Sequence, residues 1–253
     1  MLRNSFKALL LCLLLACPLL FCGTAQAGTL SVVGQSRWVT VANVFDGDTF
    51  RSTSGEKVRL LGINCPEIAH GRQAAQPYGE EARRRLISLI GGQTVQLRPD
   101  SEKKDKYGRT LAHVYLRNGG WINALLVSEG LAYVYTFMPN HRSTEQLLKA
   151  EHLARNNMAG IWKSETFRIL ESRELGPRHI GQFRLVRGRV KAAPQPWQFK
   201  LGELSVSVPR NFRQWFTPAQ LPQAGSQVLV RGVIRMSVNR QLYLALHSPF
   251  DLE

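Results

Sequence analysis

Cysteine is scarce where it could staple a fold. Of the four cysteines in 253 residues, Cys12, Cys17 and Cys22 fall within the first 22 positions and leave Cys65 alone in the rest of the chain. One thiol cannot close an internal disulfide, so stability has to come from packed cores, a metal or a ligand. No cysteines and histidines carry the spacing of a zinc site, and the six histidines are scattered, which argues against a structural zinc fold. Acid is scarce too: 18 Asp and Glu face 33 Lys and Arg, a net charge of +15 and a pI near 10.3. That balance points to a polyanionic partner, whether nucleic acid, anionic lipid or cell-wall polymer, and says nothing about the fold. Hydrophobic residues are not scarce; at 44% of the chain they rule out a largely disordered protein.

The long apolar run from Ala8 to Phe21 is shorter than the roughly 20 residues that a membrane-spanning helix needs. Arg3 and Lys7 precede it and Ala25-Gln26-Ala27 follows, so residues 1–27 have the layout of a signal peptide cleaved after Ala27. The expected product is exported, secreted or periplasmic. Leu14-Leu15-Ala16-Cys17 offers the alternative of a lipid anchor through Cys17, disfavoured by Pro18 and by the cleaner downstream site. No transmembrane segment is expected after removal of the leader.

After a lead-in over 28–36, residues 37–164 carry short alternating strands, illustrated by Val39, Val41, Val95, Leu97, Leu111 and His113. Helical spacing interrupts them three times. Ala82, Leu86, Leu89 and Ile90 form one face, stopped by Gly91-Gly92; Ile122, Leu125 and Leu126 form another between Trp121 and Glu129. The third helix is predicted to start at Ser143, whose spacing to Gln146 fits a capping box, and to end near Gly160. The expected class is mainly β with helices (α+β), a small barrel with three helices packed on it. Residues 165–179 are polar and rich in turn formers, a linker or irregular connection. Residues 180–253 resume alternating tracts, Phe183 to Val190 and Val228 to Ile234, each with a glycine where a barrel strand would bend. A second small β-barrel-like domain follows from this pattern. From Glu165 onward 13 Lys and Arg stand against 6 Asp and Glu, and eleven of the thirteen are arginine, the cation best shaped for phosphate.

Three segments of the first region carry chemistry. Asp46-Gly47-Asp48 puts two carboxylates around a glycine between strands, a pattern that is also an ordinary hairpin turn. Val58-Arg59-Leu60-Leu61-Gly62-Ile63-Asn64-Cys65-Pro66-Glu67 sets one arginine in an apolar strand and runs into polar residues stiffened by proline; such an arginine is costly unless it reaches an anion. Asp105-Lys106-Tyr107-Gly108-Arg109 is a basic turn leading into a strand. Oxygen ligands, a free carboxylate and two arginines are the parts needed for a hard divalent cation beside a phosphoryl centre.

Asp48-Thr49, Arg59, Pro66-Glu67 and the run Asp105–Arg109 together resemble the staphylococcal (micrococcal, or thermonuclease-type) nuclease family. The match extends from about Val39 to Trp162 and includes Tyr78-Gly79 and the stretch from Pro139-Asn140 to Leu148. The resemblance implies a five-stranded oligonucleotide-binding-type barrel and a calcium-dependent nuclease acting on DNA and RNA, single-stranded or locally open stretches preferred. It implies attack by water on phosphorus, departure of the 5′ oxygen and a 3′-phosphate product. Asp48, Asn64 and the Cys65 backbone carbonyl would face the metal, with Asp46 acting through water or behind the ligands. Glu67 would position or deprotonate the water, and Arg59 and Arg109 would grip the phosphoryl oxygens. Lys106, Tyr107 and Tyr135 would bind substrate. Two positions depart from the best-known member, which has aspartate in place of Asn64 and threonine in place of Cys65. The second change keeps a carbonyl; the first removes a negative charge and should raise the calcium requirement.

Bland alternatives stand beside these readings. Cys65 fits a buried inert thiol better than a redox switch, Arg83-Arg84-Arg85 a solvated helix face better than a phosphate track, and His113 a barrel position better than a catalyst. The C-terminal region resembles, less closely, a second oligonucleotide-binding-type barrel, in which Trp197, Phe199, Tyr243 and the arginines could hold single strands; a folding support is the alternative. Against the nuclease stand a non-catalytic nucleic-acid binder, which Asn64 favours, and a cell-envelope scaffold, which explains charge and export only.

Overall fold

The computed structural model describes residues 35–71, 74–191 and 196–253. The leader expected at 1–27 lies outside them. Among the described residues no helix is long and apolar enough to cross a membrane.

The chain runs through β1 (Arg37–Val44), β2 (Thr49–Ser52), β3 (Lys57–Leu60), β4 (Ile63–Asn64), α1 (Gly79–Ile90), β5 (Thr94–Arg98), β6 (Thr110–Tyr115), α2 (Ile122–Ser128), β7 (Tyr133–Val134) and α3 (Thr144–Asn156). It continues through β8 (Leu170–Glu171), β9 (Phe183–Lys191), β10 (Gln198–Leu201), β11 (Leu204–Ser207), β12 (Gln227–Val233), β13 (Arg235–Met236) and β14 (Leu242–Ala245). Strands β1-β2-β3-β6-β5 close into a barrel, with β3 and β6 parallel and the other neighbours antiparallel. A register shift between Val41 and Asn43 lets one long strand serve two partners: Arg37–Thr40 pair with β5, and the remainder with β2. The core inside contains Val41, Phe50, Val58, Leu60, Val95, Leu97 and Val114. Buried Ala82, Leu86 and Ile90 of α1 seal it at four-residue intervals.

Helix α2 does more than cover the barrel. Asn123, fully buried, accepts from the Val114 amide and donates to the Leu61 carbonyl, pinning the segment after β3 to β6. The three helices lie where periodicity puts them, but the capping box does not form. Ser143 makes no side-chain cap hydrogen bond, because its backbone (φ −104, ψ 5) is not extended as an N-cap residue must be. Nor does β6 alternate: five of its six residues are buried, with one face in the barrel and the other beneath α2.

The second region repeats the first's connectivity. Its sheet runs β12-β9-β10-β11-β14-β13, with β11 and β14 parallel. Only the buried Ile234 separates β12 from β13, so counting them as one bent strand returns the path to its start. Phe199, Leu201, Val206, Val230 and Leu244 fill its core. The connection at 165–179 is irregular but firmly packed: Phe167 and Leu170 are buried, and β8 adds to β9 in parallel.

Apolar contact and a cluster of ion pairs join the barrel to the second sheet. Tyr133, Ala154, Ile161 and Trp162 pack against Phe167, Leu185 and Leu229. Arg231 of β12 donates to Glu151 of α3 at 2.7 Å, the side chains being 2% and 0% exposed. Its other terminal nitrogen pairs with Glu253, which also holds Arg155 at 2.8 Å. Burial alone would raise the Glu253 carboxyl, yet Arg231 and Arg155 overcome it and hold the group at about 2, against an ordinary 4.5. A depressed carboxylate stabilises the fold above its unfolded value, and that stability is lost as pH falls through the folded one.

Arg231→Ala should therefore cost about 3–5 kcal/mol by chemical denaturation, since Glu151 is left charged and buried, whereas Arg231→Met with Glu151→Leu should recover most of the loss. Wild-type melting temperature should drop between about pH 4.5 and 2, and Glu253→Gln should flatten that part of the profile.

Candidate active site

A cleft of about 570 Å³ opens at one side of the first barrel, and every site residue expected from the sequence lines it: Asp46, Asp48, Arg59, Asn64, Cys65, Glu67, Lys106, Tyr107, Arg109 and Tyr135. Glu102, Lys104 and Phe137 line it as well. The three segments meet there because β2 and β3 pair in register, Thr49 opposite Arg59, while β3 lies parallel to β6, Arg59 opposite Leu111. The β1–β2 turn and the segment after β3 thus share one end of these strands, while the loop before β6, whose first residue Thr110 lies beside Val58, comes from the other end and reaches the same cleft across the short β3–β6 pair.

Arg59 organises this end. Its two terminal nitrogens donate to the carbonyls of Leu60 and Ile63, each at 2.9 Å, and to Asn64 Oδ1 at 2.7 Å, and Nη1 lies 3.1 Å from Asp48 Oδ2. Asp48 is 8% exposed. Its Oδ2 accepts from the Cys65 amide at 2.9 Å and its Oδ1 from Thr49 at 3.0 Å. Burial pushes the Asp48 carboxyl up to about 6; Arg59 pulls the other way, and neighbouring Asp46 adds to the rise. Asp46 is tied back by the Asp48 amide, which donates to its Oδ1 at 3.0 Å.

Asn64 has its amide orientation set by its neighbours. Arginine can only donate, so the atom facing Arg59 must be oxygen; the nitrogen then donates to the Cys65 carbonyl at 3.2 Å and to the Tyr133 hydroxyl at 2.7 Å. Tyr133 in turn stacks on Phe183 of β9, ring centroids 4.2 Å apart. The sequence reading missed both aromatics. Tyr133 alternates with Tyr135 on a short strand, and spacing alone cannot say which of them faces the cleft. Cys65 is 3% exposed and its thiol is pushed up, by burial first and by Asp48 next, which fits an inert sulfur. His113, buried and pushed down to about 4 by its burial, stays a neutral barrel residue.

Opposite Asp48, Arg109 is fastened to its own turn: Asp105 accepts from its Nε at 2.7 Å and from its amide at 2.9 Å. Tyr107, 72% exposed, lies 5.0 Å from the Lys106 ammonium and 5.5 Å from the Arg109 guanidinium. Glu67 is exposed at the rim, its backbone exchanging hydrogen bonds with Gln76.

The donor set suits a hard cation by its chemistry. Asp48, Asp46, Asn64 and the Cys65 carbonyl line one cleft and offer oxygen rather than sulfur or imidazole nitrogen, although the Asn64 oxygen is turned to Arg59 and the Cys65 carbonyl accepts from the Asn64 amide. Burial is what chiefly raises the Asp48 carboxyl, with Asp46 adding to it, and a cation there would offset the cost of its charged form. Only two of the donors are carboxylates, and among the described residues no group of three or more His, Cys, Asp and Glu could hold a metal unaided.

A closed five-stranded barrel with three helices, carrying carboxylates and arginines in one cleft, defines a nuclease-type α+β domain. Residues 57–164 match the family described as staphylococcal nuclease homologue. The chain is 35% identical over 144 residues to a thermonuclease of Staphylococcus intermedius, covering 56% of this chain and 84% of that protein. It is 35% identical over 149 residues to the endonuclease YncB of Bacillus subtilis, covering 56% and 70%. With the SPbeta prophage-derived endonuclease YokF of the same organism it shares 37% identity over 134 residues, covering 51% of this chain and 45% of YokF, less than half that relative's length. The chain belongs to the staphylococcal nuclease family.

Gly47, between the two aspartates, leaves no room for a side chain: a Cβ there would stand 2.6 Å from the Cys65 Cβ and 2.7 Å from that of Ala82. Gly47→Ala should destabilise the protein by about 1–3 kcal/mol through overpacking, measured by urea unfolding.

Proposed function

We propose that this protein is an exported, calcium-dependent nuclease that hydrolyses phosphodiester bonds of DNA and RNA with little sequence selectivity, breaking the 5′ P–O bond to leave a 3′-phosphate. One observation carries the reading: two carboxylates, an exposed glutamate and two arginines from three separated segments line one cleft. The names thermonuclease and endonuclease borne by the relatives support it, as does the basic balance of the chain, which raises encounter with polyanions.

In this mechanism Arg109 and Arg59 bind the phosphoryl oxygens, and Arg109 is the freer of the two, since Asp105 holds only one edge of its guanidinium. Glu67, with its side chain at the rim, orients the attacking water and accepts its proton as the 5′ oxygen leaves. Tyr107 and Tyr135 offer ring faces to the flanking nucleotides, and Lys106 pairs with their phosphates. Calcium would be held by Asp48, Asn64, the Cys65 carbonyl and Asp46, and when bound would supply charge neutralisation at the phosphate. Asn64 weakens that site by one charge, so a calcium requirement higher than an aspartate would need is expected. This same substitution favours the rival reading of a binder without catalysis; against it stands the retained Glu67, a carboxylate that a passive phosphate binder has no use for. Export rests on the leader pattern at 1–27.

Digestion of plasmid and RNA with calcium or with chelator tests the proposal. Wild type should cleave both only with calcium. Arg109→Ala and Glu67→Gln should each lose about 10²–10³ in rate while keeping the wild-type melting curve. Strand binding without cleavage by the wild type would establish the rival. Asn64→Asp should lower the calcium concentration needed for half-maximal rate; an unchanged value would remove Asn64 from the ligand set.

A further inference from the structure

Strand β9 has one face that changes character along its length. Phe183, Leu185, Arg187, Arg189 and Lys191 point to the same side. Phe183 stacks on Tyr133 and Leu185 is buried between the barrels, whereas Arg187, Arg189 and Lys191 are all exposed. Where the strand leaves the shelter of the first barrel, it turns basic at every outward position. On the neighbouring strand, exposed Lys200 lies directly opposite Lys191 in the antiparallel register. Like charges placed so repel, and a bound anion would offset that cost.

The arrangement points to one kind of anion. Outward residues on a strand recur about every 6.6–6.8 Å, a spacing that consecutive phosphates of an extended nucleic-acid strand can follow. Among the described residues the carboxylate nearest this row is Glu171, 3.7 Å from Arg187, with both side chains well exposed; Arg189 reaches only the Gly225 carbonyl. Of the aromatics that the sequence suggested for this role, Phe199 is buried in the second core and Trp197 packs against that core; Tyr243 is half-buried and stands in register with Lys200 across Ser205, so cations rather than aromatics dominate this face. The row is also fixed relative to the cleft: Phe183, which starts it, stacks on the tyrosine whose hydroxyl holds Asn64.

We propose that the exposed cations of β9 and β10 form a second, sequence-independent binding surface for the phosphate backbone of the nucleic-acid chain that the cleft cleaves. The inference rests on the nuclease reading, and it makes the second barrel a substrate-holding module whose grip is electrostatic.

The test is a variant carrying Arg189→Gln, Lys191→Gln and Lys200→Gln, with two readouts. Affinity for a fluorescein-labelled 30-nucleotide single strand, titrated in chelator over a range of salt, should fall at low salt, and the slope of log K against log salt should shrink by about 2. Cleavage of a trinucleotide that fills only the cleft should keep its kcat/KM, and the variant should melt no lower than wild type. An unchanged salt slope would overturn the proposal, as would an equal loss on the trinucleotide. Loss of binding to phosphatidylglycerol vesicles with strand affinity intact would also overturn it, assigning the surface to lipid. If the wild type cleaves neither substrate while strand binding still depends on these cations, the nuclease reading fails and the surface stands.

Discussion

Arg59 and Asp48 hold each other at the mouth of the first barrel, and most of the site is arranged around that contact. One guanidinium takes the carbonyls of Leu60 and Ile63 and the Asn64 oxygen, so the segment after β3 is wound around it. One carboxylate takes the Cys65 amide and the Thr49 hydroxyl, tying the same segment to the β1–β2 turn. A charge in an apolar strand would be expensive by itself. Surrounded by acceptors, it becomes the centre that places Asn64, the Cys65 carbonyl and the start of the Glu67 turn.

The second sheet is joined to this centre rather than appended to it. Phe183 lies on Tyr133, Tyr133 receives the Asn64 amide, and Asn64 faces Arg59. Behind them, Arg231 and Glu151 bridge β12 and α3 with almost no exposed surface. Such a pair adds little net stability compared with apolar residues but penalises any arrangement that separates its members. The placement of the second sheet against the barrel is therefore specified by the Tyr133–Phe183 stack and the Arg231–Glu151 pair together.

Charge, the most conspicuous property of the composition, divides by surroundings. Arg231 is enclosed by acceptors and acts as an internal strut; Arg59 is held by acceptors yet lines the cleft; Arg109 is half held by Asp105 and half turned to the cleft; Arg189, Lys191 and Lys200 face water. The last group contributes chiefly to long-range attraction, and its members should add to the salt dependence of phosphate contacts.

Much of the site was legible because its motifs are local. Gly47 between two aspartates, Pro66 after Asn64-Cys65, and Gly108 before Arg109 are turn signals whose chemistry does not depend on distant residues. Helical periodicity located all three helices for the same reason. What the chain by itself could not settle is which face of each strand is covered. Tyr133 and Tyr135 are two residues apart, yet one is sealed beneath Phe183 and the other lines the cleft. Ser143 has the composition of a helix cap and lacks the backbone angles for it. In each case the outcome is set by what packs from far along the chain, because burial and hydrogen-bond satisfaction are properties of the assembled barrels.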